Sequence, residues 1–115
     1  MVLKRDFKET VRARAQRDPA FREALLREAI ETLLAGDVET GKAVLRDYIN
    51  ATIGFEALGK ATNMSPKSLM RMFGPAGNPQ AHNLFTVLRY LQEQANLYLR
   101  LRATRRRREP ASVSG

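Results

Sequence analysis

For most of the chain, apolar residues return with helical rather than strand spacing. Phe7, Val11 and Ala15 stand four residues apart and suit a short helix from about Lys4 to Gln16. Asp18–Pro19 is a start signal, a capping carboxylate followed by proline in the first turn. Beyond it Phe21, Leu25, Leu26, Ala29, Ile30, Leu33 and Leu34 trace a wide continuous face that Gly36 ends. Asp37 caps the next helix, whose inward set is Val38, Val44, Leu45, Tyr48 and Ile49 and which closes between Asn50 and Ile53. A later helix opens at Asn78–Pro79 by the same cap-then-proline logic. Leu84, Val87, Leu88 and Leu91 form its stripe, and Phe85 widens it. Near Asn96 the period changes. Leu97, Leu99 and Leu101 alternate with Tyr98, Arg100 and Arg102, which favours a strand, while Leu91, Ala95 and Tyr98 also fit a helical continuation. A lone strand has no partner within the chain, which raises edge-to-edge pairing of two copies.

Between these helices, residues 54–83 read as two short helices joined by a tight corner. Phe55, Leu58 and Thr62 share one side of a first helix. Asn63 follows where the chain must turn, and asparagine tolerates the left-handed conformation better than most residues. Ser65 can cap the second helix with Pro66 in its first turn, and Gly74–Pro75 stops it. Leu69, Met72 and Phe73 then point inward, Met64 plugs the corner, and Lys67, Ser68, Met70 and Arg71 face out. This is the layout of a helix-turn-helix, whose second helix reads the DNA major groove mostly with its N-terminal residues. A plain helical hairpin with solvated polar residues is the alternative.

Charge supports the first of these. The net charge is +8, but residues 1–53 carry ten Lys/Arg against nine Asp/Glu, and residues 100–115 carry six Arg against one Glu. Most of the basicity is therefore a tail, which raises affinity for any polyanion without marking a DNA-binding domain. More telling is the stretch between Glu56 and Glu93. It holds no acidic residue, yet contains Lys60, Lys67, Arg71 and Arg89. A solvated helical face usually mixes signs, whereas a surface that approaches phosphates gains by excluding carboxylates.

The segment LGKATNMSPKSLMRMFGPAGNP resembles the helix-turn-helix of the HigA-like antidote (antitoxin) proteins of bacterial toxin–antitoxin modules, within the wider phage-repressor-like class. The resemblance is carried by Ala61–Thr62, Ser65, Ser68–Leu69, Arg71 and Gly77–Pro79, and extends more loosely from about Asp6 to Ala103. Gly59 stands where such helices usually carry alanine, and Asn63 where the turn usually has glycine. The expected fold is mainly α: a helical bundle containing a repressor-like helix-turn-helix, with a short C-terminal strand. Residues 1–103 would form a single domain with the motif at about 54–91, and 104–115 a basic tail without apolar periodicity. The resemblance implies a transcriptional regulator that represses its own operon and binds a cognate toxin.

On that reading Lys67, Ser68 and Arg71 contact DNA, arginine being suited to guanine and lysine to phosphate. Ser65 and Pro66 open the helix, and Ser65 serves as cap alone or also meets a phosphate. Met70 contacts a thymine methyl or covers a neighbouring helix. Lys60, Asn78, Gln80 and His82 would position the backbone, although His82 reads better as a surface or capping imidazole. The Arg105–Arg108 run follows a groove or is simply solvated. A homodimer on a double-stranded operator is expected. Without cysteine and with one histidine, no metal centre or cofactor is expected. No nucleophile–base pair or phosphate-binding loop is visible, so the chain does not read as an enzyme. No apolar run approaches the length of a membrane span, and MVLKRDFKET lacks a following apolar segment, which together suggest a cytoplasmic protein. The rival reading is a protein-interaction module with the helices from Pro19 to Ala51 as its working surface.

Overall fold

A computed structural model of the chain describes residues 11–106. They form a bundle of six helices, with no strand among the described residues. Residues 11–17 are helical (α1), followed by α2 (Pro19–Leu34), α3 (Val38–Ala51), α4 (Phe55–Thr62), α5 (Pro66–Met72) and α6 (Ala81–Gln94). Phe7 and the expected helix start near Lys4 lie outside the described residues.

Local signals set most helix ends. The Asp18 carboxylate accepts from the backbone N–H groups of Ala20 (3.1 Å) and Phe21 (3.2 Å). Arg22 reaches back to the carbonyls of Ala15 (2.8 Å) and Gln16 (3.1 Å), closing α1 onto α2. Asp37 caps α3 through Thr40 N–H at 3.2 Å. The start of α6 differs from expectation. Its cap is Gln80, without a side-chain bond, and Asn78 lies outside the helix. The loop leading to Asn78 is held elsewhere, as described below.

Helices α2 and α3 lie along one another as an antiparallel pair, while α4 packs on α5 and α6. Leu26, Leu45, Ile49, Leu58, Leu69, Phe73, Val87 and Leu91 build one continuous core between the two groups. Each such side chain contributes roughly 1.5–3 kcal/mol before chain entropy is subtracted. Three expected core positions are instead exposed: Leu34, Val38 and Phe85. Leu34 and Phe85 stand at the edges of their apolar stripes, and Val38 is the first residue of α3, at the end of its stripe.

Residues 97–106 form neither the strand nor the helix that the sequence suggests. The alternation is still present in space: Leu97 and Leu99 pack against the core while Tyr98 and Leu101 face solvent. Leu97 N–H donates to Gln92 O at 2.8 Å and Leu99 N–H to Gln92 Oε1 at 3.0 Å, so a glutamine anchors the run. A strand also requires a neighbouring backbone, and no described segment supplies one.

The Asp18 cap gives a pH test. Its carboxyl is held below the ordinary carboxylate range, chiefly by the Phe21 N–H, with Arg14 3.5 Å away adding to the effect against partial desolvation. A depressed folded pKa contributes stability above the unfolded value and loses it as pH falls through the folded one. Acid titration of unfolding is therefore expected to be shallower below about pH 4 in Asp18→Asn than in the parent, measured by urea melts across pH.

Candidate nucleic-acid interface

Helix α4, a three-residue corner and α5 make the helix-turn-helix. Asn63 takes the left-handed conformation (φ 60°, ψ 41°), as its place in the turn predicts. Met64 N–H donates to Gly59 O at 2.9 Å, which draws the corner down onto α4. This closeness explains Gly59: a Cβ there would stand 2.6 Å from the Met64 carbonyl oxygen, so alanine would force the corner outward. Ser65 Oγ accepts from Ser68 N–H at 3.0 Å and lies 2.9 Å from Ser68 Oγ, with Pro66 in the first turn. Leu69 and Phe73 are fully buried, and Phe55 meets Phe73 with ring centres 6.4 Å apart.

Lys67, Ser68, Met70 and Arg71 are exposed, as are Ser65 and Lys60, whereas Pro66 is half-buried. Lys67 and Arg71 are four residues apart and so lie on one side of α5, with Met70, half exposed at 50%, between them. Like charges at this spacing disfavour the isolated helix by a few tenths of a kcal/mol. Among the described residues, neither they nor Lys60 forms an ion pair; the pairs are Arg14–Asp18, Lys42–Glu39 and Arg89–Glu93. Lys60 shares a shallow groove at the corner with Ser65 and Pro66. Asn78 and Gln80 are exposed at the opposite end of α5, beyond Gly77, and His82 is exposed in the first turn of α6. Arg105 and Arg106 are exposed, and Arg107 onward lies outside the described residues.

The C-terminal end of α5 is fixed by two residues that the sequence reading did not single out. Lys42, on α3, is 1% exposed, and its ammonium donates to Gly74 O (2.9 Å) and Gly77 O (2.8 Å). Glu39 Oε2, 3.1 Å away, balances the charge. Arg46, one turn on, donates to Phe73 O at 2.6 Å. Together they place two cations at the negative end of α5: Arg46 satisfies the carbonyl of its C-cap, Phe73, and Lys42 those of the loop that follows. A signal for Lys42 exists in the sequence, a lysine three residues before Leu45 on the apolar stripe.

Gly77 completes the arrangement. It lies so close to α5 that a Cβ would overlap the Arg71 carbonyl oxygen and stand 2.8 Å from that of Met72. No family model, curated protein or solved structure matches the chain.

Two substitutions probe the two ends of α5. Ser65→Ala is expected to cost about 1 kcal/mol of stability and Ser65→Asp to recover most of it, as a cap requires. Gly77→Ala, where backbone rather than a flexible side chain blocks the new methyl, is expected to cost about 2 kcal/mol or more. Chemical denaturation measures both.

Proposed function

We propose that the protein is a sequence-specific DNA-binding transcriptional regulator acting in the bacterial cytoplasm as a homodimer. What carries this reading is the outward side of α5: Lys67, Ser68 and Arg71 exposed, without a carboxylate partner among the described residues, on a helix anchored at both ends. Charge left unpaired on a pre-positioned helix is suited to meet phosphates and base edges, because little ordering cost remains at binding. Lys60 at the corner and Asn78 and Gln80 beyond the far end are spaced to hold the backbone on either side. Two copies would set their α5 helices about 34–36 Å apart on a pseudo-palindromic site.

The resemblance of residues 58–79 to HigA-like antidotes supports a narrower form of the proposal. In it the regulator is the antitoxin of a toxin–antitoxin module, repressing its own operon and binding the toxin. A toxin-binding surface would be sought on the α2–α3 pair or along residues 97–106, which lie outside the motif.

Titration of duplex DNA at several salt concentrations tests the proposal, using the chain's own upstream region against scrambled duplex. Arg71→Ala is expected to cost about 1–3 kcal/mol of specific affinity and to relax sequence preference. Lys67→Ala should weaken all sequences alike and reduce the salt slope by about 1. If both variants bind as the parent does, or if scrambled DNA binds equally well, the helix-turn-helix is not the reading surface and the helical surface serves a protein partner instead.

A further inference from the structure

At the end of the bundle where α6 terminates, α2, α3 and α6 leave an open cleft of about 530 Å³. Its size is that of a small-molecule site. One wall is apolar, built by Ile53, Leu91, Ala95 and Leu97. On the other, Tyr48 is 3% exposed, yet its hydroxyl makes no hydrogen bond among the described residues. Tyr48 lines the cleft. Buried tyrosines usually give their O–H a partner, and this one presents a donor to the cleft.

Arg22 lines the same space. One terminal nitrogen is committed to the carbonyls of Ala15 and Gln16, and no carboxylate pairs with the guanidinium among the described residues. Its charge is felt at the Tyr48 hydroxyl, where it opposes the upward effect of burial on the phenol. Burial prevails, so the phenol keeps its proton at neutral pH and remains a donor. Two donors, one of them cationic, thus line the same cleft as Ile53, Leu91 and Leu97. Glu23, which is exposed, also borders the cleft but pairs with neither donor.

We propose that this cleft is a binding site for a small amphipathic carboxylate, its carboxyl group on Tyr48 Oη–H and the Arg22 guanidinium and its apolar body against Ile53, Leu91 and Leu97. The site is separate from α5. Occupation bears directly on Leu97, the first anchor of the extended run 97–106, and so connects ligand to the part of the surface that carries exposed Tyr98 and Leu101.

Phenylacetate is the probe, and neutral phenylacetamide its control, titrated into the full chain and followed by amide NMR. A ligand of this size is expected to bind at about millimolar concentration. Shifts should saturate and be confined to residues around Tyr48, Ile53, Leu91 and Leu97. The amide should bind about tenfold or more weakly, and Tyr48→Phe, which keeps the ring and removes only the donor, should weaken phenylacetate by a similar factor. Unsaturable or scattered shifts, or equal binding of acid and amide, would overturn the proposal on the parent protein alone. Equal phenylacetate affinity in a folded Tyr48→Phe would overturn it as well.

Discussion

The buried ammonium of Lys42 ties the loop after α5 to α3, across the junction between the two halves of this fold. Lys42 is carried by α3 and buried at the junction, where water cannot solvate its charge; Glu39 and the carbonyls of Gly74 and Gly77 do so instead. A buried charge is tolerable only when its partners are complete, and removing any of them leaves the rest uncompensated. The same geometry requires Gly77, since the loop that offers its carbonyl to Lys42 must also lie directly on the end of α5. Arg46 adds a second bond to Phe73 O. Helix α3 is thereby more than a neighbour of the helix-turn-helix, because it holds the C-cap of α5 and the loop that follows.

The proposed reading of DNA depends on this junction. A seven-residue helix has little stability of its own, as the cost of nucleation is spread over few hydrogen bonds. Ser65 at one end and Lys42 with Arg46 at the other replace what length would otherwise provide. Lys67 and Arg71 can then stand on the same side despite their mutual repulsion. Any partner that displaced α3 would loosen α5, which gives a protein bound to the α2–α3 pair a physical route to the proposed DNA-reading face.

What could be read from the sequence was what is local. Asp18, Asp37, Asn63 and Ser65 each act on backbone within three residues or on their own φ and ψ, so residue type and spacing sufficed. The outward set on α5 followed from the period of Leu69, Met72 and Phe73. Lys42 was not legible in the same way, because its acceptors lie 32 and 35 residues away and become visible only after the chain has folded. Leu34, Val38 and Phe85 show another limit: periodicity defines the direction of a face but not how far its partner extends. In residues 97–106 the alternation was real and the strand was not, since a ladder needs a second backbone. Gly59 is demanded by the corner, where a Cβ would stand 2.6 Å from the Met64 carbonyl oxygen. The motif here is drawn tighter at that point than an alanine would permit.

The central claim is that α3 holds α5 through Lys42, and native-state hydrogen exchange tests it most directly. In Lys42→Met, which keeps most of the side-chain volume and removes the donor, the amides of Leu69 to Gly74 are expected to exchange on the order of a hundredfold faster, while those in the middle of α2 keep their protection. If exchange in α5 is unchanged, or rises equally throughout the bundle, the end of α5 is held by something other than this lysine.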